Sequence, residues 1–108
     1  MFRHVALFRF VPDITDGQRA ALHAGLAALP GRIPEIREYR YGPDAGAVEG
    51  NWDFAVIADF DDRAGFEVYA PHPAHQAFIA ECMAPVLSER AALQLDLPDT
   101  GPAPATGA

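Results

Sequence analysis

The chain has 108 residues, which is enough for one domain with a modest core and too few for two. Its formal net charge of −7 argues against nucleic acid and anionic membrane surfaces as partners, because both recruit clustered Lys and Arg. The single cysteine, Cys82, excludes an internal disulfide and fits a cytoplasmic protein. No apolar run approaches the roughly 18 residues of a membrane span, so we expect no membrane partner.

The first predicted element is a strand over residues 2–10. Its two alternating sets of side chains both contain apolar residues, which is typical of a strand covered on both faces. One face carries His4, Ala6, Phe8 and Phe10, and the other carries Val5 and Leu7. Both faces of this strand therefore need a packing partner.

A helix follows the first strand. Thr15 and Gln18 have the spacing of a capping box at its start, and the Pro30-Gly31 pair predicts its end near Leu29. The residues at helical spacing form an apolar stripe of Leu22, Leu26 and Leu29. One side of this helix is therefore expected to face a sheet.

Branched and aromatic residues predict a second strand at 36–41 and a third at 52–60, separated by a Gly- and Pro-rich loop. A short helix then ends near Tyr69, because Pro71 disfavours helical backbone in the residue before it. Pro73 suits the start of another helix, with His72 at a possible cap position. A last strand is predicted at 92–97.

The element order is strand, helix, strand, strand, helices, strand. This order is typical of the split β-α-β topology of ferredoxin-like α+β folds, a four-stranded antiparallel sheet with all helices on one face. The other face is left bare, and a second copy of the chain is the simplest cover, so we predict a two-fold homodimer with facing sheets. The domain spans residues 1–97, and the Pro-, Ala- and Gly-rich tail 98–108 is predicted to be disordered.

Several segments together resemble the stress-responsive dimeric A/B-barrel (Dabb) family. They are RHVALFRF at residues 3–10, LPGRIP at 29–34, WDFAV at 52–56 and YAPHPAHQAF at 69–78. The last segment is the most specific of the four, and the resemblance covers about residues 2–97. It implies a dimeric α/β barrel, in agreement with the predicted topology.

The same family contains olivetolic acid cyclase-type polyketide cyclases, which are lyases that need no cofactor. The resemblance implies an acid–base role for His75, an assisting role for Tyr69 and a pocket position for His4. The chain departs from those cyclases in having Leu22 and His23 where they have aromatic pocket residues, and Ala6 and Ala58 where they have bulkier aliphatic ones. The resemblance therefore does not imply a long-chain polyketide substrate.

An aldol reaction requires a base that removes a proton next to a carbonyl and a donor that stabilises the enolate oxygen. A His and a Tyr suit these two roles. Pro71 and Pro73 interrupt the chain between Tyr69 and His75, so both side chains can turn inward. His75 falls in the first turn of its helix, where the helix dipole favours the neutral imidazole, and His4 can approach from the sheet.

The resulting hypothesis is a small, partly apolar carbonyl or phenolic ligand, bound without metal or other cofactor. Its predicted contacts are Ala6, Phe8, Leu22, His23, Leu26, Val56 and Phe78. Three alternatives stay open: a non-catalytic, stress-associated structural dimer, a cofactor-free monooxygenase, and a metal-binding barrel. The ligands of that metal site would be His4, His72, His75 and Asp96.

Overall fold

The computed structural model describes residues 1–98 and has the predicted order of elements. The strands are β1 (Phe2–Phe10), β2 (Glu38–Pro43), β3 (Phe54–Phe60) and β4 (Leu87–Asp96). The helices are α1 (Asp16–Arg32), α2 (Arg63–Tyr69) and α3 (Pro73–Phe78), and α3 runs into one π-helical turn, Ile79–Met83. Apart from Pro98, the predicted tail lies outside the described residues.

The four strands form one antiparallel sheet in the order β2-β3-β1-β4. This confirms the ferredoxin-like α+β architecture. β1 lies in the centre, and its side chains alternate as predicted between a covered and an open face. Phe2, His4, Ala6 and Phe8 are buried, whereas Arg3, Val5, Leu7 and Arg9 are half-buried on the other face.

The core lies between the apolar stripe of α1 and the covered face of the sheet. Its most deeply buried large side chains are Leu22, Leu26, Ile33, Phe60 and Val86. Helix α1 approaches α3 closely at Gly25, where an added Cβ would lie 2.6 Å from Cδ1 of Phe78. No helix among residues 1–98 is long and apolar enough to span a membrane.

Side-chain caps fix where each helix begins. Thr15 and Gln18 form the predicted capping box at α1, and the Asp62 carboxylate accepts a hydrogen bond from the backbone N–H of Gly65 in α2. The Nδ1 atom of His72 accepts from the N–H of Ala74, at 3.0 Å, and so caps α3. Each cap satisfies an N–H group that has no partner inside its helix.

Helix α1 does not end at Leu29 as predicted but continues to Arg32, with Pro30 inside it. Proline lacks the N–H that would bond to the carbonyl one turn earlier, and in a helix interior this is disruptive. Pro30 lies in the last turn of α1, where few intrahelical hydrogen bonds follow it and can be disrupted. The N–H of Ile33 donates to the carbonyl of Leu29 at 2.9 Å and closes the helix.

Two strands begin later than predicted. β2 begins at Glu38 instead of residue 36, because the N–H of Ile36 donates to the carbonyl of Ile33 in a turn. β3 begins at Phe54 instead of residue 52. The N–H of Phe10 donates to the Asp53 carboxylate, at 2.9 Å, and not to a backbone carbonyl of the neighbouring strand. Side-chain and turn hydrogen bonds such as these compete with sheet pairing.

β4 is longer than predicted, since it begins at Leu87 and not at residue 92. Its early residues, Ser88 to Arg90, are polar and exposed, so they have no alternating apolar pattern. They nevertheless pair with β1, where Arg90 lies opposite Phe8 and Glu89 opposite Arg9. Pairing with the central strand, not the residue pattern, determines the length of β4.

The open face of the sheet is apolar in the middle and charged at its rim. Leu93 and Leu95 of β4 are 53% and 42% exposed, and Val5 lies opposite both Leu93 and Ile57. The rim carries the ion pairs Arg3–Asp59, Arg9–Glu89 and Arg40–Glu38. An apolar patch with a polar rim is typical of a protein interface.

Candidate active site

A cavity of about 90 Å³ lies between the sheet and the helical segment that contains α3. It is lined by His4, Ala6, Phe8, Leu26, Tyr39, Val56, Tyr69, His75, Phe78, Ile79, Met83, Leu87 and Arg90. A larger depression of about 280 Å³, next to Trp52 and Asp44, is more open and has no histidine among its lining residues. Only the smaller cavity combines an apolar lining with groups suited to proton transfer, so we place the candidate site there.

Most of the residues predicted for the site line this cavity. It brings together the three proposed catalytic residues His4, Tyr69 and His75, and five of the predicted ligand contacts: Ala6, Phe8, Leu26, Val56 and Phe78. The other two do not line it. Leu22 is fully buried in the core, and the exposed His23 has its ring centroid 5.6 Å from that of Phe54.

Sequence reasoning missed several residues that line or adjoin the cavity. Tyr39 lies opposite Ala58 on β3, and this register brings its ring to the covered face beside Tyr69. Arg90 lies in the early part of β4, which was not predicted as strand, and Gln94 lies in the predicted part of that strand. The π-helical turn contributes Ile79 and Met83, and an alternating or helical pattern does not indicate such a turn.

His75 is oriented by a backbone carbonyl. Its Nδ1 lies 2.9 Å from the carbonyl oxygen of Ala70, and because a carbonyl can only accept, Nδ1 carries the proton. Burial is the main cause that lowers the pKa of His75, and the nearby positive charge of Arg90 lowers it further. The imidazole is therefore neutral at pH 7, with an unprotonated Nε2 that can act as a base.

His4 is held in the opposite tautomer. The side-chain amide of Gln94 donates to Nδ1 of His4 at 2.9 Å, so the proton of the neutral ring is on Nε2. Burial, followed by the charges of Arg90 and His75, lowers the pKa of His4 to about 4. Its side chain is only 6% exposed and packs against Phe66, at 5.1 Å between ring centroids. His4 thus supplies a neutral N–H donor.

Two tyrosines form a hydroxyl pair at the same site. The hydroxyl oxygens of Tyr39 and Tyr69 are 2.7 Å apart, and Tyr69 is 2% exposed. Burial is the main cause that raises the pKa of both phenols, so both are protonated at pH 7. The ring of Tyr69 also stacks on that of His75, with 4.1 Å between centroids.

The arrangement thus combines a neutral base, a neutral N–H donor and a phenolic hydroxyl around one apolar cavity. These are the groups required for proton transfer next to a carbonyl and for hydrogen bonding to the oxygen that becomes negative. Within residues 1–98, no three His, Cys, Asp or Glu side chains are grouped so as to hold a metal ion. His72, which the metal alternative invoked, has its Nδ1 engaged as the cap of α3.

The profile of the family described as "Stress responsive A/B Barrel Domain" matches residues 2–96. The chain belongs to this family. An uncharacterised protein of Streptomyces coelicolor is 31% identical to this chain over 83 residues. The match covers 74% of this chain and 84% of that protein.

Solved structures of other proteins have the same fold as this chain. A dimeric ferredoxin-like protein of unknown function from Thermobifida fusca is 44% identical, with a TM-score of 0.81 over 89% of this chain and 90% of that one. Hydroxynitrile lyase from Passiflora edulis is 22% identical, with a TM-score of 0.79 over 94% and 96% of the two chains. At that identity the likeness to the lyase shows the fold alone.

Proposed function

We propose that this A/B barrel domain binds a small carbonyl compound in the cavity and catalyses cofactor-independent proton transfer at the carbon next to the carbonyl. The observation that carries the proposal is a pair of hydrogen bonds at the Nδ1 atoms of the two histidines, from which we infer complementary tautomers. His75 has a free Nε2 lone pair, because Nδ1 donates to Ala70, whereas His4 has an Nε2 proton, because Nδ1 accepts from Gln94.

In the proposed reaction, Nε2 of His75 removes the proton and the C–H electron pair becomes the C=C bond of an enolate. The carbonyl π electrons move to oxygen, and that oxygen accepts hydrogen bonds from the Tyr69 hydroxyl and Nε2–H of His4. The His75 imidazolium then returns its proton. If the enolate carbon instead attacks a second carbonyl of the same molecule, a C–C bond forms as the π bond of that carbonyl breaks, and the resulting alkoxide takes the proton from the His75 imidazolium. The result is an aldol cyclisation of the polyketide-cyclase, lyase type.

Tyr39 is a positioning residue in this scheme. The hydroxyl oxygens of Tyr39 and Tyr69 are 2.7 Å apart, and either hydroxyl can be the donor. The scheme requires that the Tyr39 hydroxyl donates to the Tyr69 oxygen. The proton of Tyr69 is then available to the ligand.

The size of the cavity restricts the substrate. A volume of about 90 Å³ is well below the roughly 300–1,000 Å³ of pockets for drug-sized ligands. A long-chain polyketide therefore does not fit inside. We propose a compact aliphatic carbonyl head that fills the space between His75 and His4, with any larger group extending through the opening.

We also propose that the domain is a homodimer in which two open sheet faces pack together. The exposed Leu93 and Leu95 and the rim ion pairs of this face support the proposal, as does the Thermobifida fusca protein, which is described as dimeric. A reducing, cytoplasmic location is consistent with Cys82, which is free. The Passiflora edulis lyase is a precedent for an enzyme on this fold.

Deuterium exchange tests the proposed chemistry. The protein is incubated with butanone in D₂O, and the loss of the α-proton signals is followed by ¹H NMR. We expect exchange to be faster than in buffer, and His75→Gln to lower the protein-dependent rate by about 10²- to 10⁴-fold, the usual contribution of a general base. His23→Gln is the matched control, because the exposed His23 lies outside the cavity.

The competing hypothesis, a structural dimer without catalysis, predicts a different result. In that case wild type and His75→Gln exchange butanone at the same rate as buffer, and the substitution acts only on the melting temperature. Equal rates for wild type and His75→Gln would overturn the proposed acid–base function.

A further inference from the structure

The cavity contains one permanent charge that the proposed proton transfer does not use. Arg90 lines the cavity together with His4 and His75, and because the residue is also exposed, it borders the opening of the cavity. Within residues 1–98 it has no carboxylate at ion-pair distance. Five other arginines each have one: Arg3, Arg9, Arg37, Arg40 and Arg63.

We propose that Arg90 binds a carboxylate of the substrate, so that the cavity accepts a small oxo acid in preference to a neutral carbonyl compound. The inference rests on the proposed function and names its substrate class. The carbonyl enters between His4 and His75, and the carboxylate stays at the opening, where the planar guanidinium can donate two parallel hydrogen bonds.

The strand register supports separate positions for the carbonyl and the carboxylate of the ligand. On β4, Arg90 lies opposite Phe8 and Gln94 lies opposite His4, so both side chains are on the covered face. Their backbone positions are four residues apart, which is about 13 Å along a strand. Arg90 lines the same cavity as His4, Tyr69 and His75, so its long side chain can reach a ligand held between the two histidines.

The overall negative charge of the chain means that binding of an anion requires a local cation. A chain of net charge −7 repels anions at long range, so any preference for an anionic ligand must come from a local cation. His4 and His75 are neutral at pH 7, since burial lowers the pKa of both. Among the described residues that line the cavity, Arg90 is therefore the group that can attract a carboxylate.

Two probes of nearly the same shape test the proposal. Acetoacetate and acetoacetamide both carry a ketone, and they differ in having a carboxylate or a neutral amide. Each is titrated into the ¹⁵N-labelled full-length chain at pH 7, and the dissociation constant is obtained from the NMR shifts. We expect wild type to bind acetoacetate about tenfold more tightly than acetoacetamide, and Arg90→Gln to lose this preference.

Arg19→Gln is the matched control, because it removes the same charge from an exposed arginine of α1 that does not line the cavity. We expect this variant to keep the wild-type preference. Equal binding of the two probes to wild type overturns carboxylate recognition while leaving the proposed proton transfer intact. A preference that persists in Arg90→Gln overturns the role of Arg90.

Binding of neither probe to wild type also overturns the inference. The butanone experiment then decides independently whether the proposed acid–base function survives, because butanone has no carboxylate. Binding of acetoacetate to wild type and its selective loss in Arg90→Gln would assign the substrate class to small oxo acids.

Discussion

The imidazole of His75 stacks on the phenol of Tyr69 with 4.1 Å between ring centroids and 28° between the ring planes. The two residues belong to α3 and α2, and the short connection between these helices is fixed by a bond from the N–H of His72 to the carbonyl of Tyr69, at 3.1 Å. The proposed base and the proposed hydroxyl donor are therefore held in a fixed relation before a ligand arrives.

The hydroxyl pair of Tyr39 and Tyr69 is expected to contribute to stability as well as to orientation. We predict that Tyr39→Phe lowers the free energy of unfolding by about 1 kcal/mol, the usual net value of a hydrogen bond. Combined with Tyr69→Phe in a double-mutant cycle, it should give a coupling of about the same size in urea unfolding. Additive effects of the two substitutions would show that the hydroxyls do not interact.

Buried His4 makes the stability depend on pH. Its pKa is about 4 in the folded chain and about 6.5 when unfolded, so below pH 6.5 the unfolded state binds more protons. Stability is therefore lost as the pH falls from 6.5 to 4. We expect this loss to reach about 2 kcal/mol after allowance for solvent screening.

The His4→Phe variant should lack this part of the pH dependence in urea unfolding between pH 7 and pH 4. The remaining slope includes a contribution of the same sign from His75, whose pKa burial also lowers. His23→Gln, at an exposed position, should keep the wild-type slope. An unchanged slope in His4→Phe would contradict the assignment to His4.

We predict that the close contact between α1 and α3 requires a glycine at position 25. An added Cβ at this position would lie 2.6 Å from the Phe78 ring, which lines the cavity. Overpacking of this kind costs about 1–3 kcal/mol, which exceeds the gain of about 1 kcal/mol from replacing Gly by Ala in a helix. We expect Gly25→Ala to lower the melting temperature.

Gly31→Ala is the control for that substitution, because an added Cβ at residue 31 meets nothing within 4 Å. This variant should keep or raise the melting temperature through helix propensity alone. Equal effects of the two substitutions would mean that the contact with Phe78 is not limiting.

The open sheet face predicts which substitution dissociates the homodimer. Leu93, which is 53% exposed, lies on the open face of the edge strand β4, opposite Val5 of β1, so we expect Leu93→Glu to give a monomer in sedimentation velocity at micromolar concentration. The matched control is Val48→Glu, since Val48 is 66% exposed in the loop between β2 and β3. A monomeric wild type, or a dimeric Leu93→Glu variant, would contradict the proposed interface.

Some parts of the site could be predicted from sequence because they depend on local rules. The prolines at 71 and 73 predicted the break between α2 and α3, and His72 was correctly predicted as a cap position. The alternation along β1 predicted that His4 and Ala6 share the covered face. His23, which was predicted as a ligand contact, lies outside the cavity, because its ring packs beside Tyr41 and Phe54.

The sequence by itself determined the order of elements and placed His4 on a strand, Tyr69 at the end of a helix and His75 in a first turn, because caps, proline constraints and side-chain alternation act over a few residues. Only the tertiary structure decided the tautomer of His4, the hydroxyl bond to Tyr39 and the position of Arg90 at the cavity opening. These depend on the register of β2 and β4 against distant strands. That register is set by pairing and packing across the whole sheet.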